Sequence, residues 1–101
     1  MGITKSEAYT DRQLYLADIC KALGHPARIA ILEQLFQAEC CICRDFTKEI
    51  NLSQPTISRH LKELKAAGII KGTVEGVSVS YCINPDRWQE IRLVLNGLFD
   101  R

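Results

Sequence analysis

A chain of 101 residues, 47% hydrophobic and 25% charged, has the composition of one globular unit and not of a disordered or low-complexity segment. No apolar run approaches the roughly 20 residues of a membrane span, and the N-terminal residues are polar, so neither a transmembrane segment nor a secretory signal is expected. The formal net charge of +1 means that any surface for a polyanion must arise from uneven placement of charge.

In chain order, Thr10 to Gln13 spells Thr-x-x-Gln, a capping box that opens a helix over residues 10–22. Leu16, Ile19, Cys20 and Leu23 are its expected buried positions. Gly24-His25 breaks this helix, with His25 serving the start of the next. Pro26 begins that second helix, which runs to about Gln37 and is expected to bury Ile29, Leu32, Leu35 and Phe36. A short amphipathic helix follows over Asp45 to Ile50, with Phe46 and Ile50 four apart, and Asn51-Leu52 makes a tight link. Ser53 then caps another helix, Pro55 falls in its first turn, and Gly68 suits the left-handed position after its end. Ile57, Leu61 and Leu64 form its buried stripe, with His60 beside them as a packed or backbone-bonded histidine.

Residues 69–74 and 77–83 read as strands around Glu75-Gly76, where Gly supplies the positive φ. Alternation places Val77, Val79, Tyr81 and Ile83 on one face and Ser78, Ser80 and Cys82 on the other. Asn84-Pro85 starts a last helix with Trp88, Ile91, Leu95 and Leu98 as an apolar seam. The fold expected is mainly α with a small β-hairpin: a winged helix-turn-helix in one domain over residues 1–101. Its helix-turn-helix lies at about 45–67 and its wing at about 69–83.

The arc opposite the Ile57–Leu64 stripe carries Gln54, Ser58, Arg59 and Lys62, with Ser53 at the cap and Thr56 and Lys65 at the margins. Such a mixture of hydrogen-bonding and cationic side chains suits base edges and phosphates together. Between Ser53 and Gly72, Arg59, Lys62, Lys65 and Lys71 are opposed only by Glu63. Double-stranded DNA is the partner this pattern implies, with α-helical insertion into the major groove and a steep salt dependence.

Five cysteines are an odd count in a chain with a DNA-reading motif, which favours reduced thiols in the cytoplasm over a disulfide framework. Cys40, Cys41 and Cys43 cluster ahead of the helix-turn-helix. Three soft thiolates favour thiophilic ions over magnesium or calcium; arsenite takes three sulfurs, whereas zinc needs a fourth ligand. On a regular helix Cys41 and Cys43 would point about 200° apart, so a shared ion requires an unwound helix start or distortion. Cys82 is a further candidate ligand, and Cys20 reads as a core thiol.

Gln54-Pro-Thr-Ile-Ser-Arg-His-Leu61, continued by Lys-Glu-Leu-Lys-Ala-Ala-Gly-Ile-Ile70, resembles the recognition helix of ArsR/SmtB winged-helix repressors. Lys21-Ala-Leu-Gly-His-Pro-Ala-Arg-Ile-Ala-Ile-Leu32 is similar to that family's signature around its second helix, and Cys41-Ile-Cys43 stands roughly where arsenic-sensing members carry a Cys-x-Cys inducer site. The resemblance spans about Leu16 to Asn84. It implies a homodimer built from the terminal helices, about 10–22 and 85–99, on a near-palindromic operator with half-sites about 34 Å apart. It also implies release by As(III) or Sb(III), with no cofactor required.

The chain departs from the arsenic-sensing pattern in having no cysteine after the pair, and Cys40 precedes it instead. The zinc site that other members carry on the last helix has no counterpart, since residues 86–101 contain neither histidine nor cysteine. Two alternatives stand beside a metalloid-released repressor: a thiol-redox or reactive-sulfur switch on the same cysteines, and a winged-helix module with no inducer. An oxidoreductase is disfavoured, because there is no Cys-x-x-Cys on a βαβ unit.

Overall fold

The computed structural model describes residues 5–38, 46 and 50–101. Local signals set most helix ends. After a single turn, α1 (Lys5–Ala8), the Thr10 Oγ1 accepts from the Gln13 N–H at 3.1 Å, and the Gln13 Oε1 accepts from the Thr10 N–H at 2.9 Å. This reciprocal capping box opens α2 (Asp11–Leu23). A Cβ at Gly24 would lie 2.9 Å from the Cys20 carbonyl, so the turn into α3 (Pro26–Ala38) admits glycine. There the His25 Nδ1 accepts the Ala27 N–H at 3.0 Å, satisfying one of the free donors at the start of α3.

The helix α4 (Gln54–Ala66) is capped by Ser53, whose Oγ accepts from the Thr56 N–H. It ends in a Schellman arrangement: the Gly68 N–H donates to the Lys65 carbonyl at 2.9 Å and the Ile69 N–H to the Leu64 carbonyl at 3.1 Å. Gly68 adopts φ 76°, which an L side chain adopts at a cost. Gly68→Ala is therefore expected to destabilise the protein by about 1–2 kcal/mol, read from the midpoint shift of a urea denaturation curve.

The strands β1 (Ile70–Glu75) and β2 (Ser78–Ile83) pair antiparallel from Ile70↔Ile83 to Glu75↔Ser78. The two-residue turn is Gly76-Val77, one residue later than expected, because Gly76 takes the first central position with φ 63°. The hairpin leads into α5 (Pro85–Phe99), where the Asn84 Oδ1 accepts the Arg87 N–H at 3.4 Å. The architecture is mainly helical with one two-stranded hairpin.

The core gathers Ile31, Ile57, Leu64, Ile69, Ile70 and Ile91 as fully buried side chains, joined by Ile19, Leu32, Leu35 and Leu61. α4 packs on α2, α3 and β1, and α2 also meets α5. Of the expected short helix over 45–50, Phe46 and Ile50 are described. Both are buried, and the Ile50 N–H donates to the Phe46 carbonyl at 2.9 Å, one helical turn; the other residues of that helix lie outside the described ones.

Several expected burials differ. In α3, Ala27, Ile31, Leu32 and Leu35 face inward, whereas Ile29 and Phe36 are each 44% exposed. α3 is apolar almost all round, so spacing does not single out its inner face. Cys20 is exposed rather than a core thiol, because α2 turns Leu16 and Ile19 inward. On the hairpin, Tyr81 and Ile83 pack against the core while Val77 lies in the turn, fully exposed. On α5, Ile91 is buried and Trp88 and Leu95 lean on the core, but Leu98 is exposed with Leu93 and Phe99.

Candidate nucleic-acid interface

Two opposite faces of α4 are sharply separated. Ile57, His60, Leu61 and Leu64 are buried, and Gln54, Ser58, Arg59, Lys62 and Lys65 are exposed. The apolar stripe anchors the helix against α2, α3 and β1 and thereby turns the polar arc outward. The Gln54 Nε2 donates to the Ser58 Oγ at 3.2 Å, which aligns two short polar side chains one turn apart. Ser53 and Thr56 are tied to one another, Oγ to Oγ1 at 2.9 Å, and hold the helix start. Thr56 is half-buried, so its hydroxyl serves the cap first.

Arg59 and Lys62 lie on the exposed arc of α4. Lys65 reaches toward the hairpin: a Cβ on Gly72 would come within 3.5 Å of its Nζ. Lys71, on β1, is exposed as well. The cations expected from the sequence thus lie along the outer side of α4 and at the base of the hairpin.

Beneath this surface the structure adds contacts that spacing did not reveal. The Arg28 Nε donates to the His60 Nδ1 at 3.1 Å, and the Arg28 Nη1 donates to the Ala22 carbonyl at 3.0 Å. The His25 and His60 rings lie 4.2 Å apart. Burial, then the neighbouring His25, Arg28 and Arg59, hold the His60 pKa below its ordinary 6.5. The packed histidine expected at this position is present, but its partner is an arginine side chain and not backbone.

At the other end of α4, the Arg87 Nε donates to the Ala67 carbonyl at 3.2 Å. The Arg87 Nη1 donates to the Tyr15 hydroxyl and, at 3.0 Å, to the Glu90 Oε2. One guanidinium so joins α5, α2 and the C-terminal cap of α4. The sequence signal for it was faint, since Arg87 sits in the first turn of α5 as an ordinary surface cation would.

Of the thiols considered for an inducer, Cys40, Cys41 and Cys43 lie outside the described residues. Cys82 is half-buried on β2 opposite Lys71, and both it and Cys20 are free thiols. Among the described residues no three His, Cys, Asp or Glu side chains come together to hold a metal ion. No helix among them is long and apolar enough to cross a membrane.

Comparison with known proteins supports this geometry. The sequence profile described as bacterial regulatory protein, arsR family, matches residues 25–71, from the start of α3 through α4 into β1. An uncharacterized helix-turn-helix transcriptional regulator of Methanocaldococcus jannaschii is 45% identical over 83 residues, covering 81% of this chain and 92% of the relative. An arsenic resistance transcriptional regulator of Pseudomonas putida is 39% identical over 81 residues, covering 80% of this chain and 62% of the relative.

In three dimensions the chain is similar to the homodimeric winged helix-turn-helix DNA-binding domain of a possible ArsR-family regulator from Mycobacterium bovis. The TM-score is 0.67 at 23% identity, covering 100% of this chain and 92% of that one. These relatives and neighbours are DNA-binding transcriptional regulators and not enzymes. With that shared helix-turn-helix and with close identity across most of its length, the chain belongs to the ArsR family of helix-turn-helix transcriptional regulators.

Proposed function

We propose that the protein is a homodimeric cytoplasmic repressor that reads a near-palindromic DNA operator through α4 and leaves it when a thiophilic ion binds the cysteines. Trivalent arsenic or antimony is the inducer this reading assigns. The observation that carries it is the outward arc of Gln54, Ser58, Arg59 and Lys62, set by the buried Ile57, Leu61 and Leu64 behind it. Ser53 and Thr56 hold the start of that helix, and Lys65 adds a phosphate contact near the hairpin.

The exposed Leu93, Leu98 and Phe99 on α5 support a two-fold partner face, since a small chain gains most by covering such side chains. The Mycobacterium bovis neighbour is described as homodimeric. For the inducer, support comes from Cys40, Cys41 and Cys43, which fall between α3 and α4 in the sequence, and from the arsenic resistance regulator of Pseudomonas putida. Ligation there would act on the segment that leads into the recognition helix. Cys82 is the alternative third ligand.

DNA release titrated with arsenite, antimonite, cadmium, zinc and a disulfide-forming oxidant, with native mass of each adduct, tests this reading. Serine keeps the size of cysteine but is a poor ligand for soft ions. Cys41→Ser/Cys43→Ser protein is expected to bind DNA normally and to stay bound at arsenite concentrations that release the wild type. Release of that variant at the wild-type concentration would place the sensor elsewhere. Release by oxidant alone would assign the thiols to redox sensing.

A further inference from the structure

Among the described residues, His60 is the one polar side chain buried in the core. It sits on the inner face of α4 and joins three segments. Its Nδ1 accepts from the Arg28 Nε at 3.1 Å. The same guanidinium donates through Nη1 to the Ala22 carbonyl at 3.0 Å and the Lys21 carbonyl at 3.4 Å, in the last turn of α2. His25 lies 4.2 Å away, ring to ring, and its own Nδ1 is taken by the Ala27 N–H. The end of α2, the start of α3 and the underside of α4 therefore meet through one imidazole that must act as an acceptor at Nδ1.

An imidazolium has no acceptor. A proton on Nδ1 would replace the Arg28–His60 hydrogen bond with two cationic donors facing each other in a partly buried site. We infer that His60 is a proton-operated latch: neutral, it fastens α4 to the α2–α3 junction through Arg28, and protonated, it frees α4 and weakens DNA binding. This rests on the proposal that α4 reads DNA.

The groups around the latch are those of the cleft beside it and of α4 itself. Asp18 and Lys21 come from α2, His25 from the junction, Arg28 from α3, and Arg59 and Glu63 from α4. Lys71 of β1 is exposed, and Arg87 of α5 is engaged at the Ala67 carbonyl, about two turns further along α4. Burial and then the charges of His25, Arg28 and Arg59 all oppose a proton on His60, so its folded-state pKa lies below 6.5. For such a group the stability of the neutral latch is fully present above the unfolded-state value of 6.5. It is lost as pH falls from there through the folded-state value.

The experiment uses the full chain and a labelled duplex selected from a random pool by the wild-type protein at mildly alkaline pH, with anisotropy read at constant ionic strength. From about pH 7.5 to about pH 5.5, wild-type affinity is expected to fall, by up to about tenfold per protomer. His60→Gln, whose Oε1 accepts from Arg28 without titrating, is expected to lose far less. Hydrogen exchange of the α4 amides, corrected for intrinsic rates, should rise with acid in the wild type and not in His60→Gln.

Where His60→Gln fails to fold, Arg28→Met serves instead. It removes a cation that opposes protonation, so the His60 ring-proton midpoint should move upward. Parallel acid loss of affinity in wild type and His60→Gln, unchanged α4 exchange, or an unmoved midpoint in Arg28→Met each overturns the latch. The Arg59→Ala/Lys62→Ala protein separates the two ideas. If it binds the duplex fully at alkaline pH, α4 is not the reader, and the exchange measurement still decides the latch.

Discussion

Arg59→Ala/Lys62→Ala protein is expected to bind operator DNA at least about a hundredfold more weakly than the wild type while keeping its fold. Both side chains are on the exposed arc of α4, so their removal leaves the core contacts of Ile57, Leu61 and Leu64 untouched. Arg59 has the planar fork that pairs with guanine in the major groove. Arg59→Ala alone should cost about 1–3 kcal/mol and relax preference at one base position. Lys62→Ala and Lys65→Ala should instead lower affinity evenly over all sequences and flatten the salt slope by about one unit each. Anisotropy titrations over a salt series distinguish these cases. Full-strength binding by the double variant would remove α4 as the reading element.

Leu64→Ala is expected to destabilise the protein by about 2–5 kcal/mol, a large share of the stability of a small globular chain. Leu64 is fully buried on the inner face of α4, in one cluster with Ile31, Ile57, Ile70 and Ile91. Truncation there loses transfer free energy and leaves a cavity between α4 and the strands. Val77→Ser, in the fully exposed hairpin turn, is the matched comparison and should change stability by less than about 0.5 kcal/mol. Denaturant melts of both variants at several protein concentrations test this, since a dimer would make the midpoint depend on concentration. A loss below about 1 kcal/mol for Leu64→Ala would mean that α4 is anchored by something other than its apolar stripe.

Both effects lie in one helix, and the same division of faces makes α4 the most readable element. Its polar and apolar residues separate cleanly around the axis, so spacing alone identifies which side is buried. α3 offers no such contrast. With apolar residues around nearly its whole circumference, it turned Ile31 and Ala27 inward and left Ile29 and Phe36 exposed, Phe36 lying instead against the Trp88 ring at 5.0 Å. Cys20 followed the same logic on α2, where one of two neighbouring apolar positions had to face out.

Caps and turns were legible for a different reason. Thr10 with Gln13, Ser53 with Thr56, and Asn84 with Arg87 are donors and acceptors three residues apart. Gly68 and Gly76 take the positive φ that the end of α4 and the hairpin turn call for, which glycine adopts without a Cβ clash. Partners this close along the chain meet whatever the remaining residues do, so helix starts and stops and the exposed polar arc of α4 could be read from neighbouring residues. The Arg28–His60 bond spans 32 positions and the Arg87–Tyr15 bond 72. No local pattern distinguishes these arginines from solvated surface cations. Only the packing of α2, α3 and α5 around α4 brought their guanidinium groups to an imidazole, a phenol and the carbonyls at helix ends, where each bond is strengthened by partial burial.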